Sequence, residues 1–107
     1  MDIFFAIAEP TRRTILELLA KKGRQTATDI SDNFPTSAAA ISQHLKVLRE
    51  THVVKVEKQG RERIYELNRE KLYEFEKWAH TMTQVWNERL DRLGVIVETK
   101  KKKFIKK

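Results

Sequence analysis

The sequence predicts a mainly helical α+β fold in which several short helices precede a β-hairpin and one long helix closes the domain. Three features lead to it. Apolar residues recur every three or four positions over most of the chain, and one stretch near the middle switches to period two. The 107 residues also hold only Gly 3 and Pro 2, too few turn formers for a β-sandwich or a glycine-rich phosphate loop.

Ile3, Phe4, Ile7 and Ala8 lie at helical spacing up to Glu9-Pro10. Pro10 disfavours the α region for Glu9, so a short first helix ends there. From Thr11, the residues Ile15, Leu18 and Leu19 mark a second amphipathic helix. Lys21, Lys22 and Gly23 close it, because cations and an αL-tolerant residue are both favoured at a helix C-terminus. Thr26-Ala27-Thr28-Asp29 has the form of a capping box and opens a short third helix that carries Ile30 and stops at Phe34-Pro35. Ser37 caps the fourth, in which Ile41, Leu45 and Leu48 form the buried stripe while Ser42, Gln43, Lys46 and Arg49 stay on the open faces.

After Glu50, Val54 and Val56 alternate with Lys55 and Glu57, Gln59-Gly60-Arg61 turns, and Ile64-Tyr65-Glu66-Leu67 returns. This is a hairpin. Asn68 then caps a long helix whose seam runs through Leu72, Phe75, Ala79, Met82, Trp86, Leu90 and Leu93, with Trp78 and Val85 beside it. Some 25 helical residues span about 37 Å, more than one small three-helix core covers. The seam therefore asks for a second copy of the chain. The two tryptophans serve as core of that pairing or line an effector pocket.

The chain has the length of one domain, and such a domain buries only about two-thirds of its unfolded surface. We place a single domain at 1–98 (first three-helix part ending in 26–51, hairpin 53–67, long helix 69–97) and a lysine-rich disordered tail at 99–107. Lys+Arg 22 against Asp+Glu 15 gives +7, which suggests a polyanionic partner. Six lysines of TKKKKFIKK supply +6 of it, so residues 1–98 carry only +1. The tail is expected to add non-specific phosphate affinity. Its Phe104-Ile105 pair also permits a weak membrane-surface contact. Cys 0 excludes disulfides, thiolate catalysis, iron–sulfur clusters and cysteine-based metal or arsenite sensing. Apolar runs are short and the start lacks a signal-peptide pattern, so the expected protein is cytoplasmic, with no membrane insertion.

The order helix, helix, short helix, turn, helix, hairpin is that of a winged helix-turn-helix. Ala38, Ala39 and Ala40 begin the fourth helix, where small residues let an N-terminal turn sink into the major groove of double-stranded DNA. Ser37, Ala38, Ala39, Ser42, Gln43, His44 and Lys46 are the candidate contacts there, Gln43 pairing most readily with adenine. His44 is as readily a packing or phosphate-contact residue as a base reader. Lys58, Arg61 and Arg63 at the hairpin tip can reach a phosphate or the minor groove. Arg12 and Arg13 either pair with Glu9 or Glu17, holding the first two helices together, or touch a phosphate.

Over roughly residues 3–93 the sequence resembles the ArsR/SmtB-type winged-helix transcriptional repressors. Ala8-Glu9-Pro10-Thr11-Arg12-Arg13-Thr14-Ile15-Leu16-Glu17-Leu18-Leu19 is similar to that family's opening signature, Ile41 to Glu50 (ISQHLKVLRE) to its recognition helix, and Gly60-Arg61 with Tyr65-Glu66-Leu67 to its wing. The resemblance implies a homodimer formed by the first and last helices, here Phe4, Ile7, Leu72, Phe75, Ala79, Met82, Trp86, Leu90 and Leu93, on an inverted-repeat operator. Two departures stand out. The family's metal sensors use cysteines that are absent here, or paired Asp/His and His/Glu ligands on the last helix. This chain has only His80 there, with Glu88 and Asp91 at the wrong spacing, so no metal or cofactor is implied. His52 also stands where the family usually has Gly, at a helix end that favours αL.

The expected function is thus a homodimeric, sequence-specific repressor. The alternative is a winged-helix protein-interaction module, which would expose apolar residues on the fourth helix. No Ser/His/Asp set, carboxylate pair or phosphate loop points to an enzyme. The inducing signal is left open between an unidentified small-molecule effector, a protein that removes the repressor, and the repressor's own concentration.

Overall fold

The computed structural model describes residues 1–94. They form α1 (Ile3–Ile7), α2 (Pro10–Lys22), β1 (Gln25–Thr26), α3 (Ala27–Ser31), α4 (Ala38–Glu50), β2 (Val54–Gln59), β3 (Glu62–Leu67) and α5 (Arg69–Arg92). The lysine tail, and the last three positions expected for the long helix, lie outside the described residues. There are two compact units, Met1–Tyr73 and one that begins at Glu74.

Local chemistry accounts for the helix starts. Asp2 Oδ1 accepts from the Phe5 N–H at 3.1 Å and opens α1. Glu9, in an extended conformation, accepts from the Arg12 N–H at 3.0 Å and opens α2. Helix α2 thereby takes Pro10 as its first residue, one position before the expected start, because a first-turn residue needs no N–H partner. The capping box is present in full: Thr26 Oγ1 accepts from Asp29 N at 3.0 Å, and Asp29 Oδ2 from Thr26 N at 3.2 Å. Ser37 Oγ accepts from Ala40 N at 3.2 Å at the start of α4.

The three strands form one antiparallel sheet in the order β1-β3-β2. Strand β1 is an addition to the expected pattern. Its two residues pair Gln25 with Tyr65 and Thr26 with Ile64, too short a run for any periodicity to announce. Helix α3 ends at Ser31, and turn bonds from Asn33 to Ile30 and from Phe34 to Ser31 carry the chain on to Pro35. In α2 the buried set is Ile15, Leu16 and Leu19, with Leu18 only half-buried. Asn68 opens α5 through its backbone carbonyl, which accepts from Leu72 N. Its side chain does not cap: Nδ2 donates to the His52 carbonyl at 2.8 Å, and Oδ1 is buried without a partner.

Ile15, Ile30, Ile41, Leu48 and Val53 are the largest fully buried side chains, joined by Leu45, Val54 and Tyr65. All belong to the first unit. Ile41, Leu45 and Leu48 follow the expected i, i+4, i+7 stripe, so burying them fixes which face of α4 points outward. At its C-terminal end, Thr51 Oγ1 donates back to the Val47 carbonyl at 2.8 Å. His52 then turns the chain with φ 62, making it the described non-glycine residue with positive φ.

A left-handed conformation costs an L-residue roughly 1 kcal/mol or more, so His52→Gly is expected to raise stability by about 1 kcal/mol. Urea unfolding of both chains checks this. A destabilised glycine variant would mean that the imidazole makes a compensating contribution.

Candidate nucleic-acid interface

With its apolar stripe buried, α4 presents Ala38, Ala39, Ser42, Gln43 and Lys46, all exposed. Positions 38, 42 and 46 step by four and 39 and 43 run beside them, so the five form one band. Three small residues open the helix, and then come a hydroxyl, an amide and an ammonium. Ser37 is exposed as well, with its hydroxyl committed to capping.

His44 lies apart from this band. Half-buried, it turns toward the corner of α1 and α2, with Nδ1 3.4 Å from Arg12 Nη1 and 3.6 Å from Glu9 Oε2. Arg12 is 8% exposed. Its Nε donates to the Ala6 carbonyl at 2.8 Å and Nη2 to the Phe5 carbonyl at 2.9 Å, and its guanidinium sits 5.1 Å from the Phe5 ring centroid. Arg13 Nη1 donates to the Ile7 carbonyl at 2.7 Å. The two arginines do hold the first helices together, but through the last carbonyls of α1: those of Ala6 and Ile7, and that of Phe5, which also accepts from the Ala8 N–H at 3.3 Å. Desolvation pushes the Glu9 carboxyl up. The N–H groups of Arg12 and Thr11 and the nearby His44 more than offset it, holding Glu9 below the ordinary glutamate value.

The wing is built by β2 and β3, which pair from Val54 opposite Leu67 to Gln59 opposite Glu62. Gly60 has φ 62 and Arg61 does not share that sign, the pattern of a II′ hairpin turn. Lys58 lies directly opposite Arg63. Like charges facing each other across strands destabilise a hairpin, so this pairing is not explained by stability of the wing. Lys58, Arg61 and Arg63 are all exposed. One wing residue escaped the sequence reading: Arg24, just before β1, donates to Glu57 on β2 and lies 3.9 Å from Glu66 on β3. Only the unannounced pairing of β1 with β3 brings it there.

In the second unit, Met82, Val85 and Trp86 on α5 and Leu93 in the turn after it are 43–65% exposed, and Leu90 is buried within the single chain. Phe75 and Trp78 stack with centroids 6.4 Å apart. Of the other residues expected at a dimer contact, Phe4 is exposed and Ile7, Leu72, Phe75 and Ala79 are half-buried. Among the described residues no three His, Cys, Asp or Glu come together as a metal site, and no helix is long and apolar enough to cross a membrane.

Two outcomes follow from this geometry. Because the Glu9 value is lowered in the fold, the carboxylate stabilises at neutral pH, and that contribution is progressively lost as pH falls below 4.5. The unaltered chain should unfold at higher urea than Glu9→Gln at pH 7, with the gap narrowing steadily as the pH is taken below that value. A gap that stays the same throughout would remove the charge from the explanation. Replacing one of the facing cations, as in Lys58→Glu, should stabilise the hairpin by about 0.5 kcal/mol while weakening any nucleic-acid complex. Thermal unfolding and filter binding on one preparation would detect a variant that moves both the same way.

Residues 9–56 match the family described as bacterial regulatory protein, arsR family. The transcriptional repressor SdpR of Bacillus subtilis (strain 168) is 40% identical over 77 residues, 72% of this chain and 84% of that protein. Among solved structures, an ArsR-like transcriptional regulator from Rhodococcus sp. RHA1 superposes with a TM-score of 0.79 at 29% identity, covering 91% of this chain and 88% of that one. A possible transcriptional regulator for arsenical resistance gives 0.67 at 40% identity, covering 87% and 93%. The helix order, the three-stranded wing and this likeness agree: the fold is a winged helix-turn-helix, and the chain belongs to the arsR family of bacterial regulatory proteins.

Proposed function

We propose that two copies of the chain act in the cytoplasm as a sequence-specific repressor on a palindromic double-stranded DNA operator. Helix α4 lies in the major groove, and the β2–β3 wing rests on the adjoining phosphates or minor groove. The observation that carries this reading is the exposed band Ala38, Ala39, Ser42, Gln43 and Lys46 backed by the buried stripe Ile41, Leu45 and Leu48. It is shaped for close approach, and Ser42 and Gln43 offer donors and acceptors for base edges. A docking face for protein would be apolar, and this one is not. The exposed residues Met82, Val85 and Trp86 on α5, with Leu93 just after it, supply apolar surface for pairing two chains. Half-sites then lie about one helical turn, or a multiple of it, apart.

The repressor works without a cofactor or a catalytic step. Thiolate sensing has no residue to use, since the chain lacks cysteine. Division of labour follows from charge: residues 26–51 carry two bases and three acids, whereas 55–63 carry four bases and two acids. The wing attracts phosphate, and the near-neutral α4 discriminates between sequences.

Gln43→Ala is expected to weaken operator binding about tenfold with little effect on random DNA. Arg61→Ala should weaken both and lower the slope of log affinity against log salt by about 1. Fluorescence anisotropy over a salt series, with the operator first selected from fragments of the source genome, tests the pair. Equal losses on operator and random DNA for Gln43→Ala would remove base reading from α4.

A further inference from the structure

We propose that Arg24 is a charge-compensating residue for the wing, offsetting one of the two negative charges of Glu57 and Glu66 so that the wing's cations meet a polyanion with less opposition. The inference rests on the DNA-binding reading above. Residues 54–67 carry Lys55, Lys58, Arg61 and Arg63, but also Glu57, Glu62 and Glu66. Three carboxylates on a short exposed hairpin lie within one Debye length, about 8–10 Å, of the cations beside them. Left alone they cancel most of the attraction that the wing offers to phosphate.

The fold brings a fifth cation to two of these acids. Strand β1 pairs with β3 through Gln25 and Thr26 alone, which docks Arg24 at the sheet edge. From there its Nη2 donates to Glu57 Oε2 on β2, and its Nε stands 3.9 Å from Glu66 Oε2 on β3. One guanidinium thus serves acids on both strands of the hairpin. Among the described residues, no carboxylate stands within 4 Å of Lys55, Lys58, Arg61 or Arg63. The acids that could answer them are partly taken.

Stability does not explain the arrangement. The three side chains are 46%, 60% and 47% exposed, and ion pairs so exposed contribute little to folding. Their effect lies in the field that the wing presents. Arg24 need not touch DNA to matter: removing it uncovers two negative charges beside the phosphates.

The test is a charge cycle read by anisotropy on operator and random DNA at low salt, with thermal unfolding of each variant alongside. Arg24→Ala should weaken binding to both DNAs about fivefold, with the salt slope kept. Adding Glu57→Gln to Arg24→Ala restores the net charge of the trio and should return affinity to within about twofold of the unaltered chain. Glu57→Gln alone should raise affinity about threefold, and this arm holds even where Arg24→Ala disturbs the fold. A double variant as weak as Arg24→Ala, with a slope lower by about 1, would make Arg24 a direct phosphate contact and overturn compensation. Unchanged affinity in Arg24→Ala or in Glu57→Gln would also overturn it. If the unaltered chain binds no DNA, the functional reading falls first and takes this inference with it.

Discussion

The burial of one guanidinium, that of Arg12, organises the N-terminal half of the protein. Helix α1 is only five residues long, far below the length at which a helix holds in water without tertiary support. Of its last three carbonyls, that of Phe5 accepts from the capping Ala8 N–H, and all three gain an arginine donor from α2. Arg12 reaches back from α2 to take those of Phe5 and Ala6, and Arg13 takes that of Ile7. The planar, multidonor guanidinium suits this role, because it meets two carbonyls and an aromatic face at once. Lysine at the same place would meet one.

The same side chain also reaches α4. Arg12 Nη1 lies against His44, whose other neighbour, Glu9, caps the helix that carries Arg12. Three elements, α1, α2 and α4, therefore meet around one cation. His44, one of the candidate contacts on α4, turns toward this corner. The exposed band lies on the opposite side of α4, backed by Ile41, Leu45 and Leu48.

Much of this was legible in the sequence, and the division is physical. Helix starts at Thr26 and Ser37 depend on residues three positions away, and the stripe of α4 on its own period, so both are written locally; the caps at Asp2 and Glu9 went unread. Strand β1 was invisible because its two residues become a strand only through Tyr65 and Ile64, some forty positions on. Arg24 shares that fate, since its acids lie on the same distant hairpin. Leu16 in place of Leu18 reflects the direction from which the core arrives, which helical periodicity alone leaves within one position. The side chain of Asn68 serves the loop at His52 in preference to its own helix, a choice that only the folded neighbourhood makes. The band and the wing tip, in contrast, were readable as chemistry because neither takes part in packing.

That independence from packing has an evolutionary side. The side chains of Ser42, Gln43 and Lys46 make no hydrogen bond to other described residues, and all three residues are exposed. Surface positions of this kind tolerate exchange at small cost to stability. The fold can thus be given a new address by a few substitutions on one band, while the buried corner and stripe go on specifying the scaffold. Selection on target choice and selection on foldedness act on separate residues, which lets copies of such a gene diverge in what they control without passing through unstable intermediates.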